Sequence, residues 1–228
     1  MIRERLVNKP IINEENPPRF IAIEGPIGVG KTTLTRKLAE RLNFGLLLEQ
    51  AEDNPFLPSF YANQRHAALS TQLFFLLQRA QQLNELTEDD LFNRTTIADF
   101  LFQKDPLFAR ATLDKDELEL YNKVYEKLEV DMPTPDLVIY LQAPIKVLKD
   151  RIQQRGIKHE RHIDLDYLER INAAYTEFFL DYTEAPLLII NATEIDFANN
   201  DSHFEQLLQY LLEINGGRHY FNPSFSIV

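Results

Sequence analysis

With 228 residues and a formal net charge of −11, from 35 acidic against 24 basic side chains, the chain is sized for one domain with a single large core and is poorly matched to a phosphate polymer. The lack of any cysteine excludes disulfides and Cys-ligated zinc or iron–sulfur sites and suits a reducing compartment. No apolar run approaches the ~20 residues of a membrane span, and the start, MIRERLVNKPIINEENPP, has no signal-peptide apolar core, so a soluble, cytoplasmic protein with a small anionic ligand is expected.

Residues 1–18 are polar, end in Pro17-Pro18 and read as an extended arm that delivers the first strand, Arg19 to Glu24. The next eight residues, Gly25-Pro26-Ile27-Gly28-Val29-Gly30-Lys31-Thr32, fill every fixed position of the pattern G-x-x-x-x-G-K-[ST]. Thr32 to Leu42 then carries Leu34, Leu38 and Leu42 at helical spacing. A strand, a glycine-rich loop and a helix in this order form a phosphate cradle: the glycines let backbone N–H groups point at phosphate oxygens, and the helix N-terminus adds its positive dipole end. The reading places Gly25, Gly28, Val29, Gly30, Lys31, Thr32 and Thr33 around ATP, with Lys31 on the terminal phosphates and the Thr32 hydroxyl on Mg²⁺.

Phe44 to Leu48 is a short apolar run fit for a buried parallel strand, and it ends at Glu49. The carboxyl edge of an open α/β sheet is where ligands bind, so Glu49 is either an active-site acid or a solvated or helix-capping one. A proline-broken aromatic segment, 54–63, leads to a long helix at about 67–87 that is apolar on nearly every face in its first half. Gln72 and Arg79 lie seven apart on it and point the same way, toward a ligand cleft or toward an internal acid. Thr95 to Ala98 is a third strand and again ends at an acid, Asp99. A helix over about 114–132, a strand over Asp136–Leu141, an amphipathic helix over Ile145–Arg155, a helix over Asp164–Tyr182, a strand over Pro186–Asn191 and a helix over Ser202–Ile214 complete the alternation. The stretch from Arg151 to Arg161 is basic in an acidic chain and contains Gly156, which suits either a solvated helix end or a lid. His159 with His162, and His203 with His219, lack a metal-ligand context. The expected architecture is a five-stranded parallel sheet covered by helices on both faces.

With these elements placed, Phe20 to about Leu212 resembles the deoxynucleoside kinase family, bacterial type. The resemblance implies a P-loop NTPase-like three-layer α/β fold, a single domain over 1–228 with a lid at about 151–163, a homodimer, and ATP-dependent phosphorylation of a deoxynucleoside 5′-hydroxyl with Mg²⁺. It implies Glu49 as the base toward that hydroxyl, Tyr61 on the 3′-hydroxyl, Gln72 and Arg79 on the base edge, and Phe108 stacked on the base. In the lid, Arg155 and Glu160 match the family pattern, with Arg151 and Arg155 set toward ATP and Glu160 toward the 3′-hydroxyl. Asn191 to Phe197 resembles the adenine-side loop, which brings Asp196 and Phe197 to ATP, and Asp99 becomes an acid shared with Thr32 as metal ligand. A Gln and Arg pair can serve either a purine or a pyrimidine edge.

Two departures stand out. Ile157 replaces the second lid arginine, and the acid after the third strand is followed by Phe100-Leu101 where the family has Arg-Ser, with Lys104 the nearby cation. A nucleoside monophosphate kinase is one alternative, although residues 43–109 offer only Arg65, Arg79 and Arg94 for an anionic acceptor. A non-catalytic nucleotide-binding module is the other.

Overall fold

A computed structural model describes residues 9–86, 94–128 and 133–223. Its sheet has the order β2-β3-β1-β4-β5-β6, with every neighbouring pair parallel: β1 (Phe20–Glu24), β2 (Gly45–Leu47), β3 (Thr96–Ala98), β4 (Leu137–Gln142), β5 (Leu187–Asn191) and β6 (Arg218–Phe221). The central strands are buried on both faces, which is why they read as continuous apolar runs. Alternate side chains serve two cores. Phe20, Ala22, Val138, Tyr140, Leu187 and Ile189 enter one core, while Ile21, Ile23, Ile139, Leu141, Leu188 and Ile190 enter the other. Burying each such Leu or Ile is worth roughly 1.5–3 kcal/mol.

The first core is covered by α2 (Leu57–Ala62), α3 (Gln64–Asn84), α4 (Asp105–Thr112), α5 (Lys115–Tyr125) and α7 (Leu165–Leu180), through residues such as Phe60, Leu76, Leu107, Tyr121 and Phe179. The second is covered by α1 (Lys31–Leu42), α6 (Ile145–Arg155) and α8 (Asp201–Glu213), through Leu34, Leu38, Leu148, Phe204 and Leu207. This is the expected three-layer α/β arrangement, with one strand more than expected. β6 escapes a pattern search because it is a four-residue edge strand of alternating exposure, reached through Gly217 at φ 98.

Two short helices were also absent from the sequence reading. In α2 and α4 a proline, Pro58 or Pro106, occupies the first turn, where a missing N–H leaves no bond unmade, so each proline starts a helix instead of breaking one. The long helix begins at Gln64, three residues before the expected start, and it is not buried all round, since Leu77 is 50% exposed. The expected helix over 114–132 is observed over Lys115–Tyr125, opened by a capping box between Asp114 and Glu117; it stops short of the expected span, since 126–127 are already turn, and 129–132 lie outside the described residues. The same is true of residues 1–8 of the expected arm and of residue 87.

β1 is flanked by β3 and β4: the connection out of β1 runs to β2 on one side, and the connection out of β3 crosses β1 to reach β4 on the other. That is the topological switch point, and its crevice opens at the carboxyl ends of the strands. The P-loop follows β1, Glu49 follows β2 and Asp99 follows β3.

Candidate active site

The phosphate loop is bent by glycine where no other residue fits. Gly28 has φ 83, and a Cβ there would lie 2.9 Å from the Leu148 carbonyl oxygen and 2.7 Å from the Ile152 side chain. Packing of α6 against the loop thus fixes the cradle's shape from behind. Lys31 opens α1 and donates from Nζ to the Gly25 carbonyl at 2.7 Å, across the mouth of its own loop. Burial pulls the Lys31 ammonium down, with Glu24 opposing that shift.

Three acids stand at the ends of the three strands. Asp99 accepts the Thr32 hydroxyl at 2.6 Å on Oδ2 and the Glu49 N–H at 2.7 Å on Oδ1, joining the P-loop helix to the end of β2. Burial pushes the Asp99 carboxyl up, opposed by the Thr32 hydrogen bond. Glu24 is completely buried: its Oε1 accepts the Gly25 N–H at 2.9 Å and the Tyr175 hydroxyl at 2.8 Å, and its Oε2 accepts the Leu101 N–H at 2.9 Å. Glu49 is held on Oε1, by Arg79 Nε at 2.8 Å, by Arg79 Nη2 and by Lys104 Nζ at 3.1 Å. Burial would raise its carboxyl, but Arg79, Lys104 and Lys31 together hold it well below the usual carboxylate range.

Behind Glu49 the network continues into the first core. Arg79 Nη1 pairs with Asp105, which is completely buried. Desolvation pushes Asp105 up to about 6 despite the attraction of Arg79 and Lys104. Helix α3 also holds the chain on both sides of Glu49: Gln82 Nε2 donates to the Leu48 carbonyl at 2.9 Å and Gln78 Nε2 to the Gln50 carbonyl at 3.2 Å. Three α3 side chains, Gln78, Arg79 and Gln82, therefore set three consecutive residues at the end of β2.

A cleft of about 1300 Å³ runs along the carboxyl edge, lined by the P-loop, by Glu49 and by Arg151, Arg155, Glu160, Asp196 and Phe197. Gly28, Val29, Gly30, Lys31, Thr32 and Thr33 all line it, so these predicted phosphate residues are brought together, while Gly25, also predicted, does not line it. Arg151 donates to the carbonyls of Ala192 and Ile195, each at 2.8 Å, and of Val29 at 3.2 Å, which ties α6 to the 191–197 loop and to the P-loop. Asp196 is exposed and closes a turn by accepting the Ala198 and Asn199 N–H groups at 3.0 Å, while Phe197 is buried in the second core. In the lid, Arg155 grips Glu160 with two nitrogens, Nε at 3.0 Å and Nη2 at 2.6 Å, and Gly156 ends α6 at φ 73. Ile157 lines the cleft where a second cation was absent from the pattern.

Tyr61, Gln72, Arg79 and Phe108 do not line that cleft. Tyr61, Gln72 and Arg79 are buried. Tyr61 stacks on His159 of the lid turn at 5.9 Å, and Phe108 packs edge-on to Tyr175 at 5.8 Å with the Lys104 ammonium 5.8 Å from its ring. Glu24 and Asp105 were missed as site residues. The repeated acid at a strand's end, already noted for Glu49 and Asp99, also describes Glu24 and was a usable signal. Asp105 precedes a proline and reads only as a cap. Among the described residues no cluster of His, Cys, Asp or Glu forms a metal centre, and no helix is long and apolar enough to cross a membrane.

Comparison with known proteins returns one consistent result. The family model described as deoxynucleoside kinase matches residues 21–214. A deoxyguanosine kinase of Bacillus subtilis is 36% identical over 204 residues, covering 87% of this chain and 99% of that one. A deoxyadenosine kinase of Lactobacillus acidophilus is 28% identical, covering 86% of this chain and 95% of that one. Among solved structures, the deoxyadenosine kinase of M. mycoides with bound dATP superposes with a TM-score of 0.73 at 26% identity, over 84% of this chain and 98% of that one.

Proposed function

We infer that this chain, which belongs to the deoxynucleoside kinase family, transfers the γ-phosphoryl group of ATP to the 5′-hydroxyl of a deoxynucleoside, giving the 5′-monophosphate. The observation that carries the mechanism is Glu49: a carboxylate at the carboxyl end of β2, in the cleft that begins at the P-loop, with Oε1 engaged by Arg79 and Lys104. Glu49 accepts the hydroxyl proton as the 5′-oxygen bonds to the γ-phosphorus and the bond to the β–γ bridging oxygen breaks. A weakly basic carboxylate suffices, because the transition state is loose and the hydroxyl becomes strongly acidic only as the new P–O bond forms.

Thr32 and Asp99 present hard oxygen donors, a hydroxyl and a carboxylate 2.6 Å apart, beside the phosphate loop. This donor set fits Mg²⁺, and these two residues would hold it. Bound there, Mg²⁺ supplies charge neutralisation at the phosphate oxygens. Lys31 and the P-loop amides cradle the phosphates, and Arg155 adds a lid cation. Arg151 acts one step back, by holding the 191–197 loop, where Asp196 and Phe197 meet the nucleobase of ATP. On the acceptor side, Tyr61 and Glu160 take the 3′-hydroxyl, Phe108 the face of the base, and Gln72, Arg79 and Asp105 its edge. An arginine donor beside a carboxyl acceptor complements guanine, with O6 and N7 accepting and N1–H and N2–H donating. Together with the 36% identity to a deoxyguanosine kinase, this favours deoxyguanosine as acceptor.

The reading extends to one domain over 1–228 with a lid at about 151–163, to cytoplasmic residence and to a homodimer. The dimer is motivated by the family membership and by Leu77 of α3 and Leu120 of α5, 50% and 48% exposed on helices packed against each other; a monomer mass by light scattering at micromolar concentration would remove it. The deciding experiment assays transfer to the four deoxynucleosides and to their monophosphates. Highest kcat/KM for deoxyguanosine is expected. Transfer to monophosphates alone would make the chain a monophosphate kinase, and no transfer at all would make it a binding module.

A further inference from the structure

Lys104 is 2% exposed, and its ammonium lies between two carboxylates, 3.1 Å from Glu49 Oε1 and 3.4 Å from Glu24 Oε2. An ammonium withdrawn this far from water is a large expense unless its partners are fixed. They are: Glu24 is held by the Gly25 and Leu101 N–H groups and the Tyr175 hydroxyl, so it anchors Lys104 from the side away from Glu49. A purely structural counter-ion for Glu24 would need no second carboxylate, because Glu24 already accepts three hydrogen bonds. The contacts at Glu49 are also one-sided. Arg79 Nε and Arg79 Nη2 both donate to Oε1 and Lys104 Nζ approaches the same oxygen, and among the described residues no hydrogen bond engages Oε2.

We propose that Lys104 is a positioning residue for phosphoryl transfer: anchored by Glu24, it fixes Oε1 of Glu49 and thereby presents Oε2 to the 5′-hydroxyl as the proton-accepting oxygen. The lysine approaches from the start of α4 and Arg79 from α3, so the carboxylate is gripped from two elements and cannot rotate without breaking both contacts. The helix that follows Lys104 carries Asp105 and Phe108, so one turn of chain both sets the base and contributes to the acceptor pocket. The inference rests on the reading of Glu49 as the base.

The test is a double-mutant cycle on the full chain, reading kcat and, by calorimetry, the deoxynucleoside Kd. Lys104→Met should lower kcat by about 30-fold or more, since roughly 1 Å of misplacement in a reacting group costs on the order of 10²-fold. The Kd should stay within about threefold, and Lys104→Arg should recover most of the loss. In a Glu49→Gln background, Lys104→Met should cost nothing further, because a residue that acts only through Glu49 has nothing left to position. Additive losses, an unchanged kcat, or a loss confined to Kd would overturn the proposal. If Lys104→Met does not fold, Glu24→Gln with Lys104→Gln removes both buried charges and is carried through the same cycle with the same outcomes. Full activity of Glu49→Gln alone would reject the base assignment itself, a result distinct from failure of Lys104.

Discussion

Asp99 accepts the Thr32 hydroxyl at 2.6 Å, so the acid that ends β3 is joined directly to the residue that follows the P-loop lysine. The same carboxylate accepts the Glu49 N–H at 2.7 Å and is 3% exposed. One side chain thus couples the phosphate side of the cleft to the acid expected to receive the proton.

Asp99→Asn tests that coupling. The amide oxygen can keep the Glu49 N–H bond and the amide nitrogen can donate to the Thr32 hydroxyl, so the shape survives and only the charge is lost. We expect kcat to fall by at least ~10², about 3 kcal/mol, while affinity for ATP and nucleoside changes little. An unchanged melting transition shows that the variant is folded. A kcat within about threefold of the parent would show that the charge of Asp99 is not used.

The fold was legible where burial is two-sided. β1, β4 and β5 are continuous apolar runs because both faces meet a core, and α6 was placed to the residue because Pro144 precedes it and Gly156 ends it in a left-handed turn. β6 was not legible, since only alternate residues of Arg218–Phe221 are half-buried and the strand exists by pairing with β5. The same division holds in the site. Phosphate residues lie within one loop and share a motif, whereas the grip on Glu49 comes from Arg79, thirty residues on, and from Lys104, fifty-five residues on. No local pattern encodes such a contact. Lys104 stood out only as a cation near a missing arginine, and its burial between two acids could be seen only in the fold.

Asp105 should leave a signature in the pH dependence of stability. Complete burial raises its carboxyl to about 6, above the ~3.9 of an unfolded chain, so the folded state binds the proton more tightly. Its contribution is therefore fully present below about pH 4 and is lost as pH rises through about 6, with a span of roughly 3 kcal/mol. Glu49 is shifted the opposite way, and its effect falls at lower pH, outside this window. Relative to Asp105→Asn, the parent should gain stability as pH is lowered from 7.5 to 5, read as melting temperature in matched buffers. Parallel curves for the two proteins would show that Asp105 does not carry the shift.

Arg151 and Arg155 lie one helical turn apart on α6, and their partners assign them opposite kinetic consequences. Arg151 donates to the carbonyls of Val29, Ala192 and Ile195, so its guanidinium is committed to tying the P-loop to the 192–195 segment. Among the described residues Arg155 is bound through Glu160 in the lid alone, and its side chain is 44% exposed. Arg151→Met should raise KM for ATP about tenfold or more and leave kcat within about threefold, because the loop loosens equally in the ground and transition states. It should also cost roughly 1–3 kcal/mol of stability, since three carbonyls lose a charged donor. Arg155→Met should do the reverse: a smaller loss of stability, because Arg155 is itself half-exposed although its partner Glu160 is buried, and a kcat lowered by roughly 10²-fold, the order expected for one preorganised donor on a transferring phosphoryl group. Steady-state kinetics in ATP and thermal melting of the two variants decide the matter. A kcat loss in Arg151→Met with KM unchanged would mean that its guanidinium leaves the three carbonyls and reaches the phosphates when ATP is bound.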